Sequence, residues 1–167
     1  MSGATGAAAA RASAVFRVQS HARPAAPPLA WQERHGHHEL ADMQTTLRSA
    51  GDGFVLDGNK VLVFNGAAAD QLIVSARSTS GRFDEAGISL VRIDAAAPGV
   101  QRTPPQLMDG QWVAQVKRRQ VPVSASQLLF APGEAHAPLH DTVQEAALAL
   151  CAEAFGVMQV LQAVTLD

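Results

Sequence analysis

The segment from residue 51 to residue 77 constrains the fold of this chain more than any other part of the sequence. Gly and Asp stand side by side at Gly51-Asp52 and again at Asp57-Gly58, and these pairs separate short apolar runs. Asp and Gly tolerate the positive φ angles that two-residue hairpin loops require. The segment therefore predicts a β-meander, with a tight hairpin turn at Asp57-Gly58.

Further strands are predicted on both sides of this meander. The apolar or alternating runs lie at 43–48, 54–56, 61–64, 71–76, 88–93 and 112–117, with turn residues between them. Short strands in series are typical of antiparallel barrels and sandwiches, so we predict a mainly β fold with some α structure, built on an antiparallel β-barrel or sandwich. At 167 residues, the chain is long enough for one domain with its own core.

The run at 61–64 is apolar at every position. Such a strand is either covered on both faces, or packs one face on the core and the other under a ligand or a neighbouring domain. This strand is the first indication in the sequence that something binds to the sheet.

The pattern changes near Pro138, after which residues 139–166 contain no Pro and only one Gly. Thr142 and Glu145 have the spacing of a capping box, so one long helix is predicted. Its apolar residues surround most of the axis and include Cys151, which we expect to be buried and inert. Nothing else in the chain can cover such a helix. We therefore expect a helical domain or partner subunit to pack on residues 139–166, and the protein to form an oligomer.

Two classes of partner are disfavoured by charge and polarity. The stretch at 146–164 is nearly long enough for a membrane span, but Glu153, Gln159 and Gln162 would lie in the hydrocarbon, so no span is predicted. The net charge of −2 gives no general attraction to phosphate, so no nucleic acid is expected.

The N-terminal residues are rich in Ala, Ser, Gly and Pro, and the first 32 contain three Arg and no acidic residue. We interpret residues 1–28 as a disordered leader, with an organellar transit peptide as the alternative. The single cysteine favours a reducing compartment. The predicted location is the cytoplasm, or an organellar matrix if the leader is a transit peptide.

No metal site and no catalytic residue is assigned. His35, His37 and His38 are too close along the chain to converge on one metal ion unless a loop folds back. No nucleophile elbow and no phosphate-binding loop is present in the sequence.

Several short segments, taken together in this order, resemble the acyl-CoA dehydrogenases. They read Leu-Ala-Trp-Gln-Glu at 29–33, Glu-Leu-Ala-Asp-Met-Gln-Thr-Thr at 39–46, Gly-Asp-Gly-Phe-Val-Leu-Asp-Gly-Asn-Lys at 51–60 and Leu-Cys-Ala-Glu-Ala-Phe-Gly at 150–156. The resemblance covers about residues 29–167 and is strongest to the pimeloyl-CoA dehydrogenase small-subunit type. It implies a middle β-barrel domain at 29–137 and the first helix of a C-terminal helical domain at 138–167.

The resemblance also implies FAD as cofactor, bound against the barrel. Matching positions place five residues at the flavin, and one, His38, at the acyl-CoA substrate; the five are Trp31, Gln32, His37, Leu62 and Phe64. The family has Thr where this chain has Gln32, a Gly-Ser pair at His37-His38, and often Trp and Thr at Leu62 and Phe64. The positions therefore match, while the side-chain chemistry departs from the family pattern.

For the intact parent, the resemblance implies α,β-desaturation of an acyl-CoA thioester, with FAD accepting the hydride. The catalytic carboxylate of the family belongs to a helical domain that nothing in this chain matches. We therefore expect a fragment that is inactive alone. The alternative is a non-catalytic β-barrel that binds a helical partner subunit, which the departures at Gln32, His38 and Phe64 favour.

Overall fold

A computed structural model describes residues 27–36, 38–108 and 110–166. The strands are β1 (Leu29–Ala30), β2 (Thr46–Ala50), β3 (Gly53–Phe64), β4 (Gln71–Arg77), β5 (Ile88–Asp94), β6 (Val100–Thr103) and β7 (Val113–Ser124). A short 3-10 helix (Ala125–Gln127) follows, and then one long helix, α1 (His136–Leu166). Almost all of the predicted leader lies outside the described residues.

The strands form one sheet that is mixed and not closed, so the prediction of an antiparallel barrel is corrected. Antiparallel pairs join β2 to β3, β3 to β7, β7 to β6, and β4 to β5. In contrast, β1 and the first residue of β2 both pair in parallel with β4, along the same edge. Hydrophobic patterning reports which residues are buried but not the direction of the neighbouring strand, so the sequence could not show these parallel pairs.

The hairpin turn predicted at Asp57-Gly58 is wrong, because β3 runs without interruption through both residues. The turn that joins β2 to β3 lies instead at Gly51-Asp52. The carboxylate of Asp57 accepts hydrogen bonds from the Gln120 backbone N–H at 2.8 Å and from Arg48 at 2.7 Å. The pairing with β7 shifts register at this point, so the Asp-Gly pair marks a β-bulge.

Two clusters of buried apolar residues hold the sheet together. The larger cluster lies on one side of β2, β3, β4, β5 and β7, and includes Leu47, Leu56, Val63, Val74 and Val116. The smaller cluster contains Met43, Ile73, Ile88, Leu90, Ala135 and Leu139. Leu139 belongs to α1, so the second cluster is where the helix is anchored.

Helix α1 begins earlier than predicted, at His136, with Pro138 in its first turn, where the missing N–H leaves no intrahelical bond unmade. The predicted capping box is therefore wrong. Thr142 lies inside the helix, and its hydroxyl donates to the Pro138 carbonyl at 2.7 Å. Leu139 and Thr142 are the buried residues of α1.

From residue 147 onward, α1 is exposed along its length. Cys151, which was predicted to be buried, is exposed in this chain. Leu148, Phe155 and Val164 are 72%, 58% and 74% exposed. By length and composition α1 could cross a membrane, but one such helix does not establish a membrane span. The described part of the chain therefore leaves the apolar surface of α1 uncovered.

Candidate functional site

A cavity of about 330 Å³ opens between the segment that follows β1 and the irregular C-terminal part of β3. We call the residues that line it the cavity wall: Trp31, Gln32, Glu33, Arg34, Gly36, His38, Glu39, Val61, Leu62 and Gln115. The first seven come from the loop between β1 and β2, the next two from β3 and the last from β7.

An irregularity in β3 places two consecutive side chains at the cavity. The pairing of β3 with β7 shifts register between Lys60 and Val63, and Leu62 has a φ of 52°. In a regular strand, neighbouring side chains point to opposite faces, whereas a bulge re-aims them. Val61 and Leu62 therefore both line the cavity, while Val63 returns to the core.

The loop side of the wall is ordered by contacts among its own side chains. The Gln32 side-chain amide and the Nδ1 atom of His38 lie 3.1 Å apart and share a hydrogen bond. The rings of Trp31 and His38 are tilted, with centroids 6.5 Å apart. His38 has a φ of 72°, so the chain turns there through the left-handed region. These contacts bring together side chains that lie seven residues apart.

The structure brings together four of the predicted site residues. Trp31, Gln32, His38 and Leu62 all line the same cavity. Phe64, also on β3, is 38% exposed but is not part of the cavity wall. His37 lies outside the described residues. The assignment of these side chains to flavin and substrate remains a prediction.

The sequence left open whether the run at 61–64 is covered on both faces or only on one, and the structure shows that only one face is covered. Val63 is 1% exposed and packs in the core, whereas Leu62 is 41% exposed at the cavity. One face of this strand therefore lies on the core, and the other is available to a ligand or neighbouring domain.

Sequence reasoning missed a buried ion pair directly behind the cavity. The Nζ atom of Lys60 donates to Oε1 of Glu33 at 2.7 Å, and the two side chains are 0% and 8% exposed. Burial opposes ionisation of Glu33, but the charge of Lys60 and its hydrogen bonds outweigh it, so the pKa of Glu33 is lowered. The one available signal was the position of Lys60, immediately before an apolar strand.

A second buried cation lies near this pair. Arg118, on β7, is 1% exposed, and burial lowers its pKa to about 10, an effect that the charge of Glu33 opposes. Within the described part of the chain, its three guanidinium nitrogens have no hydrogen-bond partner. The interior behind the cavity therefore contains two cations that interact with the carboxylate of Glu33.

The cavity wall combines apolar, polar and charged side chains. Trp31, Val61 and Leu62 provide apolar surface, Gln32 and His38 provide an amide and an imidazole, and Arg34 and Glu39 are charged. The carboxylate of Glu33 is occupied by three donors and cannot readily take a proton from a substrate. Among residues 27–36, 38–108 and 110–166, no group of three metal-ligating side chains is found.

Comparison with known proteins identifies relatives over the same region. A sequence model described as "Acyl-CoA dehydrogenase, middle domain" matches residues 29–120. The acyl-CoA dehydrogenase FadE29 of Mycobacterium tuberculosis is 29% identical over 82 residues, which is 49% of this chain and 21% of that protein.

Solved structures match over a longer stretch of the chain. An acyl-CoA dehydrogenase from Geobacillus kaustophilus is 26% identical with a TM-score of 0.64, over 71% of this chain and 32% of that chain. The ChsE4-ChsE5 complex from Mycobacterium tuberculosis is 20% identical with a TM-score of 0.65, over 70% of this chain and 30% of that chain. The second likeness shows the fold alone. In both comparisons, this chain spans about a third of the length of the protein it matches.

Proposed function

We propose that this chain, which belongs to the acyl-CoA dehydrogenase family, forms the flavin-facing β-domain of an FAD-dependent oxidoreductase acting on acyl-CoA thioesters. The observation that carries the proposal is the convergence of Trp31, Gln32, His38 and Leu62 on one cavity. Leu62 comes from β3 and the other three from the loop after β1, and each occupies a position that the resemblance assigns to flavin or substrate.

The cavity wall fits the ring system of a flavin. A tricyclic ring needs apolar surface for its face and polar groups at its edge, which is the usual composition of a cofactor pocket. Trp31, Val61 and Leu62 offer the first, while Gln32 and His38 offer the second. The volume of about 330 Å³ lies near the lower end of the range of about 300–1,000 Å³ for ligand pockets. That size suits the ring better than the whole dinucleotide.

The protein contributes orientation to this proposed chemistry. FAD, when bound, supplies the hydride acceptor for desaturation of the thioester. Packing against Leu62 and Trp31 would fix the plane of the ring, and the hydrogen bond between Gln32 and His38 holds two polar groups in a set geometry at the wall. No side chain described above is proposed as the base that removes a substrate proton.

We propose that the chain alone does not turn over acyl-CoA. The matched part of this chain spans only about a third of each solved relative. Proximity and exclusion of water account for much of an enzyme's rate, and both need a closed pocket. The finer assignment to a pimeloyl-CoA dehydrogenase small-subunit type is part of this proposal.

Equilibrium dialysis of FAD against the full chain tests the proposed site. Because burying a Leu side chain is worth about 1.5–3 kcal/mol, Leu62→Ser should weaken FAD binding about tenfold or more. The control is Leu150→Ser, the same change at an exposed residue of α1, which should bind FAD as the unmodified chain does. Equal dissociation constants for Leu62→Ser and the unmodified chain would contradict the proposal.

A second candidate function, a non-catalytic module that binds a helical partner, is favoured by the exposed apolar surface of α1. We propose that a helical domain or subunit covers this surface, either in a complete enzyme or in a partner complex. Leu150→Glu with Leu161→Glu should abolish association in sedimentation velocity runs without altering FAD binding. If the unmodified chain is monomeric at all concentrations, both alone and when mixed with a candidate helical partner protein, this candidate is wrong.

A further inference from the structure

Lys60 is a charged side chain enclosed in the interior of the sheet. It is 0% exposed, and its partner in the strand pairing, Val116 on β7, belongs to the core. Lysine is rarely buried to this extent unless it is paired. The hydrogen-bond partners of Lys60 therefore explain how its charge is accommodated.

Those hydrogen bonds lead to the cavity wall. The Nζ atom donates to the backbone carbonyl of Trp31 at 3.0 Å and to Oε1 of Glu33 at 2.7 Å. The residue between them is fixed to the same strand, because the Val61 N–H donates to the Gln32 carbonyl at 2.9 Å. Three successive wall residues are therefore bonded to two successive residues of β3.

Glu33 extends this connection to the far end of the loop. Its Oε2 accepts from the Gln44 N–H at 2.8 Å, and its Oε1 accepts from the Thr45 N–H at 2.9 Å. The loop that provides most of the cavity wall is thus tied at both ends to one buried carboxylate, and that carboxylate is tied to Lys60.

The charges indicate which member of this cluster can be removed with least disturbance. Glu33 interacts with two buried cations, Lys60 and Arg118. Removing Glu33 would leave both cations without a counter-charge in the interior. Removing the charge of Lys60 leaves one carboxylate and one guanidinium, so the total charge of the cluster becomes balanced.

We propose that Lys60 is a positioning residue of the flavin site: from behind the cavity wall it holds Trp31 and Glu33 against β3, and so sets the surface on which the ring lies. This inference rests on the proposed flavin function. Lys60 itself lies outside the cavity wall and touches no ligand placed there.

Lys60→Met is the direct test, since methionine keeps the length and apolar stem but neither donates nor carries charge. Lys117→Met is the matched control, because Lys117 lies on the neighbouring strand β7 with its side chain exposed. In amide hydrogen exchange of the full chain, Lys60→Met should speed exchange at Thr45 and Val61 about tenfold or more, and leave Val74 in β4 unchanged.

FAD provides the second readout. Lys60→Met should weaken FAD binding about tenfold or more and alter the visible circular dichroism of the flavin that remains bound. Lys117→Met should alter neither. If Lys60→Met does not fold, Lys60→Gln, which keeps a donor for the Trp31 carbonyl, should give intermediate exchange rates and intermediate affinity.

The outcomes separate this inference from the proposed function. Faster exchange in Lys60→Met with unchanged FAD affinity and an unchanged flavin spectrum would make Lys60 purely structural and overturn the inference, while the proposed function stands. Unchanged exchange at Thr45 and Val61 would also overturn it. An unmodified chain that binds no FAD would defeat the proposed function itself, and the flavin role of Lys60 with it.

Discussion

The buried charge of Lys60 makes the stability of the protein depend on pH. Burial lowers the pKa of Lys60 from 10.5 to about 8, an effect that the charge of Glu33 opposes and that of Arg118 reinforces. Between these two values the folded protein binds fewer protons than the unfolded chain. The contribution of Lys60 to the free energy of unfolding therefore increases as the pH rises through this window.

This linkage predicts a pH-dependent difference between two variants. The unmodified chain should become more stable relative to Lys60→Met by up to about 3 kcal/mol between about pH 8 and pH 10.5, since one pKa unit is worth about 1.4 kcal/mol. Urea unfolding at the two pH values measures it, with Lys117→Met as the control. A stability difference that stays constant across this range would show that Lys60 keeps an ordinary pKa.

A side chain at Gly58 would be opposed both by the backbone conformation and by close packing. It has a φ of 143°, and a Cβ added there would lie 2.7 Å from the Cα of Thr45. Gly51 also has a positive φ, of 57°, but a Cβ there would meet nothing within 4 Å. The two glycines therefore differ mainly in the space around them.

Gly58→Ala should destabilise the protein by about 3 kcal/mol or more, because it adds an overpacking clash to the cost of positive φ. Gly51→Ala bears only the conformational cost, about 1 kcal/mol. Thermal unfolding monitored by circular dichroism measures both. Equal melting temperatures for the two variants would mean that Thr45 moves aside at little cost.

Among the elements, α1 is anchored at one end only. Leu139 is 0% exposed and belongs to the second core cluster, whereas Leu150, three turns further along, is 64% exposed. The helix therefore contributes to the stability of this chain through its first turns, and its remaining length is available for contacts with another domain or subunit.

Leu139→Ala should lower the free energy of unfolding by about 2–5 kcal/mol, as expected for a large-to-small change in a core. Leu150→Ala should change it by less than about 0.5 kcal/mol in the isolated chain. Denaturant unfolding at low protein concentration measures both changes. A large loss for Leu150→Ala at that concentration would show that another copy or segment already covers the helix.

The sequence predicts elements better than their connections. The apolar runs at 71–76 and 88–93 correspond to β4 and β5, and the Pro-free stretch after Pro138, with its single Gly, corresponds to most of α1. The sequence did not predict the continuity of β3 because Asp57-Gly58 has the composition of a turn. In the structure this pair forms a bulge, at which the Asp57 carboxylate accepts a hydrogen bond from the Gln120 N–H. Turn composition and bulge composition overlap, since both need positive φ and local polar contacts.

For the whole molecule, the structure brings four of the six predicted site residues to one cavity, while their assignment to flavin and substrate remains a prediction. Trp31, Gln32, His38 and Leu62 converge because β3 bulges at Leu62 and the loop after β1 is held to Lys60. The ion pair could not be predicted, since the burial of Lys60 depends on a pairing of segments about 30 residues apart. Patterning along the sequence carries no information on such contacts.

If the cavity wall binds the flavin ring, an NMR titration of the isotope-labelled full chain with FAD should locate the ring there. Chemical-shift changes should be concentrated at the amides of Trp31, Gln32, His38 and Leu62, with small changes in β5 and along α1. The response of Phe64 will show whether the ring extends beyond the cavity along β3. Shifts that cluster on another face of the sheet, or no shifts at millimolar FAD, would show that the cavity wall does not bind the flavin ring.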